Sequence, residues 1–332
     1  MRLAATRFLG ALLMTLAAHA APEARPVRLI LDTDIQGDVD DVGAVALLHA
    51  LADRGECTIL AMGVSCKNPW GPLCLDALNV YFGRPHIPVG VVKGKAFNKR
   101  SRYAQAIATE FPRNLRSADA APDAALLYRR VLAKEADGAV VMVSIGQLPN
   151  FRDLLRTKPD EHSPLGGADL VRRKVRAWVC MGGRLPKGRE ANLVHDADGA
   201  VGSIPLWPTP IIFSGWEIGE KIRTGKGLHV LPKSSPVRRA YELYNGLTDR
   251  QSWDQTAILY AVRGLDGGLA DHWGLETKGH MHLLPNAENE WRPEPDKPHS
   301  YFVEKMDPRR IAAELEQLML HEPRRAERHR PQ

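Results

Sequence analysis

The sequence predicts an α/β fold, an open and mostly parallel twisted sheet flanked by helices. Three observations predict it. Runs of buried-strand character alternate with helical periodicity from Arg28 to Arg263, the pattern of successive βαβ units. One acidic stretch, Leu29–Leu48 (LILDTDIQGDVDDVGAVALL), lies at a strand-to-helix junction, where open α/β sheets bind ligands. The chain has 332 residues, enough to bury one large core as a single domain.

Residues 1–20 read as a secretory signal peptide. Arg2 and Arg7 precede an apolar run, Phe8 to Ala18, and Ala18-His19-Ala20 offers a cleavage site before Ala21. The run is too short to span a bilayer, and no later run is long enough. No Cys follows the cleavage site, so no lipid anchor is expected, and the location is periplasmic or secreted. One domain is expected over residues 21–322.

Within it, Arg28–Asp34 reads as the first strand. Val39–Arg54 is the helix after it, with Val42, Val45, Leu48 and Leu51 at helical spacing. Cys57–Ser65 is a second strand, Gly71–Phe82 a helix ended by Gly83, and His86–Lys93 a short strand. Lys95–Arg116 is a polar surface excursion near a site. Pro122–Glu135 is helical, stopped by Asp137-Gly138. Ala139–Ile145 is a buried strand and Leu148–Arg156 a helix. Strands Arg176–Met181 and Pro210–Phe213 run into Gly182-Gly183 and Ser214-Gly215. Pro236–Gly246 and Trp253–Arg263 are helices. Beyond Gly264 the pattern weakens. Residues 285–298 read as a Pro- and charge-rich loop, followed by a strand at Ser300–Val303 and a helix at Arg309–Leu320. Pro323–Gln332, with Arg324, Arg325, Arg328 and Arg330, is expected to be a disordered basic tail.

The formal charge is +6, which becomes +4 once Arg2 and Arg7 are removed, and part of the remainder is in the tail. No basic stripe with interleaved aromatics appears, so neither a nucleic-acid polymer nor a membrane is an expected partner. The cysteines Cys57, Cys66, Cys74 and Cys180 are free to pair in an exported protein, but a chain of this size needs no staples. The absence of C-x-x-C argues against a zinc or redox site.

Asp32, Asp34, Asp38, Asp40 and Asp41 put five carboxylates into ten residues. Close pairs repel by about 1 kcal/mol even with water-like screening, so something positive must compensate. A hard divalent cation with oxygen ligands is the simplest answer. An EF-hand loop starting at Asp32 lacks its closing acidic ligand, because Gly43 stands there, and its flanks are strand then helix. An aspartyl-phosphate phosphatase, with Asp32 as nucleophile and Asp34 as acid, needs a Lys and a later acidic pair, and no convincing pair follows. A third reading, a metal-dependent N-ribosyl hydrolase, rests on a resemblance.

For that third reading the stretch Asp32-Thr33-Asp34 … Asp38-Val39-Asp40-Asp41 resembles the Asp-x-Asp-Pro-Gly-x-Asp-Asp signature of the inosine-uridine-preferring nucleoside hydrolase family, here with Ile35 for the Pro and a turn two residues longer. Four later segments resemble that family's in the same order. They are Gly146-Gln147-Leu148-Pro149-Asn150, Met181-Gly182-Gly183, Glu190-Ala191-Asn192 with Asp196 and Ala200, and Trp253-Asp254 before an apolar helix.

The resemblance spans residues 28–263 and implies the Rossmann-like fold of that family and a calcium ion. Asp34, Asp41, the Pro149 carbonyl and Asp254 would hold the ion, together with waters and two ribose hydroxyls. Asp34 would also be the catalytic base toward an activated water, and the transition state would be oxocarbenium-like. Asp40, Asn68, Glu190 and Asn192 would bind ribose. Asp254 would meet both metal and substrate. Asp32 is expected to orient these groups rather than bind metal directly, and Asp38 has no counterpart in the shorter motif.

Two departures bear on the leaving group. Trp253 stands where many members carry a proton-donating His. An indole stacks on a base but donates no useful proton. The segment Arg184–Arg189 lacks the Asn often used on the 5′-hydroxyl. His195 is the candidate replacement acid. His229, His280 and His282 are expected to be surface or satisfied histidines. The expected substrate is a nucleoside or other riboside, and dimers or tetramers are usual where the resemblance points. The competing function is an exported, non-catalytic sugar- or nucleoside-binding protein on the same fold; hydrolysis of another glycoside is a third.

Overall fold

The computed structural model describes residues 25–294 and 297–323. The segment 1–20 read as a signal peptide, and the chain from Arg324 onward read as a basic tail, lie outside those residues.

Eight strands form the central sheet: β1 (Val27–Thr33), β2 (Cys57–Val64), β3 (Val89–Val91), β4 (Val140–Ser144), β5 (Val175–Met181), β6 (Ile211–Ser214), β7 (Trp273–Glu276) and β8 (His299–Glu304). Their order across the sheet is β7-β8-β6-β5-β4-β1-β2-β3. Every neighbouring pair is parallel except β7–β8 at one edge, which is antiparallel. The α/β expectation holds. β1 is central because its Leu29-Ile30-Leu31 run is apolar on both faces, as a strand covered by helices on both sides requires. Chain order reverses at β1, between β2 on one side and β4 on the other. That switch point opens a crevice at the carboxyl ends of the strands.

The helix Asp40–Asp53 follows β1. It is read from sequence as an apolar helix, and every residue from Asp40 to Leu51 is buried. The helices Trp253–Arg263 and Pro308–Met319 pack over the face that would otherwise meet water. Gly43 permits that approach, since a Cβ there would lie 2.5 Å from Gln255 Nε2 and 2.6 Å from the Tyr241 hydroxyl. Other boundaries fall within a few residues of the sequence reading, and Trp253–Arg263 coincides with it.

Three segments differ. The excursion Lys95–Arg116 contains a helix, Ala104–Glu110, and buries Tyr103, whose hydroxyl donates to the Asp38 carbonyl. A helix at Gly167–Lys174 was not anticipated. The loop expected at 285–298 contains the strand Asn289–Arg292, which pairs with His280–Leu283 and with Lys187–Gly188 in a separate antiparallel sheet. These strands are too short for a period to emerge, and pairing across distant sequence stabilises them. All four cysteines are buried and free. Among the described residues no helix is long and apolar enough to cross a membrane.

Candidate active site

The loops at the carboxyl ends of β1, β4, β5 and β6 enclose a cavity of about 240 Å³. Asp40 and Asp41 open the first helix, and Asp254 opens Trp253–Arg263 one residue after its start. The packing of these two helices brings carboxylate oxygens of Asp40, Asp41 and Asp254 within 4.8 Å of one another, all three side chains buried. The Asp254 backbone N–H donates to Asp40 (3.4 Å), and the Thr33 hydroxyl donates to Asp41.

Burial, and then repulsion from neighbouring acids of the stretch, pushes all three carboxyls well above the usual carboxylate range. Two unit charges that close repel by about 3 kcal/mol at an effective dielectric constant of ~20. Two oxygens each about 2.4 Å from one calcium can be no more than about 4.8 Å apart. The donor set therefore fits a single hard cation in both spacing and chemistry.

Asp34 lines the same cavity. Burial raises its carboxyl to about 6 against a hydrogen bond from Gln147, whose Nε2 donates to Oδ2 at 2.7 Å. The Gln147 Oε1 atom is buried and unpartnered. Gly146 is required beside it, because a Cβ there would come within 2.7 Å of the Asp34 Cβ.

Asp32 points away from the cavity. Its Oδ2 accepts from Asn150 at 2.7 Å and from the Tyr128 hydroxyl, while burial pushes the carboxyl to about 7. It ties the end of β1 to the helix Pro149–Arg156. Asp38 is paired with Arg250 in a two-pronged ion pair, and the Arg250 guanidinium lies 5.1 Å from the Trp253 ring centroid. The extra Asp of the longer motif thus has its own cation.

Glu190 and Asn192 line the cavity while also holding its wall together. Glu190 accepts from the N–H groups of Gly183, Asn192 and Leu193 at 3.1, 2.8 and 3.3 Å, and burial raises it to about 7. Asn192 donates to the carbonyls of Ile145 (3.3 Å) and Met181 (3.2 Å), joining the ends of β4 and β5.

Trp253 faces the cavity beside Trp216, and its indole N–H is committed to the Trp216 carbonyl at 2.9 Å. His195 is exposed at the rim and stacks on Phe97 with centroids 4.3 Å apart. Burial and then Lys99 lower its pKa.

Two expected site residues do not line the cavity. Asn68 is in a neighbouring groove, where its side chain holds the Lys99 carbonyl and the Trp70 N–H, both at 3.0 Å. Pro149 is the first residue of the helix that begins behind Gln147. Gln36, Phe97, Lys99, Gln147, Trp216 and Arg250 do line it, and sequence reasoning gave none of them a role. Only the polar excursion 95–116 signalled that part of this wall.

No protein-family model and no curated protein matches the sequence. Solved structures do match the fold. An inosine-uridine preferring nucleoside hydrolase from Bacillus anthracis is 15% identical, with a TM-score of 0.66 over 89% of this chain and 99% of that one. A purine-preferring ribonucleoside hydrolase from Gardnerella vaginalis is 18% identical, with a TM-score of 0.65 over 88% and 98%. The type III effector protein XopQ, solved in complex with adenosine diphosphate ribose, is 16% identical, with a TM-score of 0.63 over 89% and 94%. The cavity-forming chain from β1 to Trp253–Arg263 therefore has the fold of nucleoside hydrolases.

Proposed function

We propose that this protein is an exported, calcium-dependent hydrolase that cleaves the N-glycosidic bond of ribonucleosides to give ribose and a free base. One observation carries the reading: three buried carboxylates converge within 4.8 Å on the floor of a cavity of sugar-plus-base size. Such an assembly is unfavourable unless a cation joins it.

Asp40, Asp41 and Asp254 would hold the ion, with Asp34 beside them. All-oxygen, carboxylate-rich donors suit calcium better than softer metals. A bound divalent cation supplies Lewis acidity toward water and a template for vicinal sugar hydroxyls. Asp34, poised by burial near pH 6 and held by Gln147, takes the proton of the attacking water. The acidic floor would favour positive charge building on a sugar ring seated above it, as in an oxocarbenium-like transition state. Glu190 and Asn192 orient the sugar from the β4–β5 side. Trp253 and Trp216 offer an apolar wall for the base. His195, exposed at the rim, is the imidazole available to the leaving base; burial and Lys99 lower its pKa, so its help as an acid should grow as pH falls.

The test is release of free ribose from a nucleoside panel, with and without chelator. Asp34→Asn should lower turnover about 10²–10⁴-fold while ribose still binds; full activity in chelator would contradict the proposal. A second reading, ligand capture without turnover, is favoured by the committed indole N–H of Trp253. Wild-type protein that binds ribosides with calcium but hydrolyses none would select it.

A further inference from the structure

We infer that the groove beside the cavity is a phosphate subsite, so that the preferred ligand is a phosphorylated riboside rather than a neutral nucleoside. The inference rests on the ribosyl reading of the cavity and specifies its substrate class.

Lys99 lines both the cavity and an adjoining open groove of about 1130 Å³. Arg100 and Arg102 line the same groove. Its single carboxylate, Glu110, is already paired with Arg239 at 2.9 and 3.1 Å. Among the described residues no carboxylate pairs with Lys99, Arg100 or Arg102. Three cations within four residues therefore face an open groove unopposed.

The segment is also held in place. The Lys99 N–H donates to Gln36 Oε1 at 2.9 Å, and its carbonyl accepts from Asn68 Nδ2 at 3.0 Å. The aliphatic stem of Lys99 lies across Gly37, where a Cβ would meet Lys99 Cδ at 2.9 Å. The Arg102 guanidinium donates to the Tyr244 carbonyl at 2.9 Å. Cations whose backbones are fixed in this way lose less entropy on binding an anion. Guanidinium and ammonium donors against phosphate oxygens make strong charge-assisted hydrogen bonds. A ribose seated on the acidic floor would have its phosphoryl substituent directed past Lys99 into this groove, away from the carboxylates.

The experiment is calorimetric titration of the calcium-saturated full chain with ribose, ribose 5-phosphate and adenosine diphosphate ribose. At least one phosphorylated ligand should bind about tenfold or more tightly than ribose, with the advantage shrinking as salt rises. In the Lys99→Met, Arg100→Gln double variant, checked for an unchanged thermal midpoint, that ratio should fall to within about twofold. Equal affinity for ribose and both phosphorylated ligands would overturn the subsite. An advantage that survives in the variant would also overturn it, because the phosphate would then be on the metal. No binding of any of the three to folded, calcium-loaded protein would instead remove the ribosyl reading.

Discussion

Arg250 balances one of the five motif carboxylates before any cation arrives. It pairs with Asp38 while its guanidinium lies over Trp253, and both partners are partly open to solvent, so the pair is worth about 1 kcal/mol. Arg250→Met should destabilise the cation-free protein by about that much. The double variant with Asp38→Asn should recover most of it, which a double-mutant cycle by urea unfolding would read. Additive losses would show that the two groups do not interact.

The buried acids also set a pH dependence. Asp34 and Asp32 titrate near 6 and 7 in the folded, cation-free chain, against about 3.9 unfolded. Their folded values are raised, so the folded state holds more protons between about pH 4 and 7, and stability rises as pH falls through that window. Asp40, Asp41, Asp254 and Glu190 are shifted the same way. His49, pushed down to about 3 by burial, opposes them, as do the lowered His195 and His282, while Asp196 and Glu217, raised by burial, act with the acids. With chelator, the thermal midpoint should be higher at pH 5 than at pH 8, and calcium should raise it more at pH 8. A calcium effect larger at pH 5 would contradict the assignment.

At the scale of elements, the helix Asp40–Asp53 supports both fold and site. It delivers Asp40 and Asp41 from its first turn, and the same turn packs under two other helices through Gly43. Gly43→Ala adds a methyl into contacts of 2.5, 2.6 and 2.9 Å with Gln255, Tyr241 and Met319. Overpacking of this kind costs about 1–3 kcal/mol. The same displacement moves the first turn away from Asp254, so calcium affinity should fall together with stability. Equilibrium unfolding and metal titration of one variant measure both, and unchanged calcium affinity would show that the packing at Gly43 does not set the positions of Asp40 and Asp41.

The excursion 95–116 is an element of a different kind. Its composition marks it as polar surface, yet Tyr103 is buried and reaches the Asp38 carbonyl. No periodicity announces such a segment, because fixed side-chain contacts rather than a repeating face hold it.

For the whole molecule, the cysteines offer a direct check of the packed state. All four are buried and free, and burial raises the Cys57 and Cys180 thiols to about 12. A thiol that does not ionise does not react. A thiol reagent should therefore find close to none of the four in native protein and all of them after denaturation. A native-state disulfide on a non-reducing mass measurement would contradict this packing.

The sequence by itself determined the parallel sheet, the run of strand-to-helix junctions and the acidic stretch at the first of them. Each is written in local apolar periodicity and in residues close together along the chain. The resemblance put Asp254 with Asp41 on one ion, and the tertiary structure decided the rest: Asp40 joins them where two helices pack through a glycine, Asp38 is claimed by Arg250, and Asp32 turns toward Tyr128 and Asn150. It also decided that Lys99, Gln36 and Gln147 line the cavity. Contacts between residues far apart in sequence depend on side-chain volume and on the cost of leaving charge unpaired in the interior, and neither leaves a period for the sequence to display.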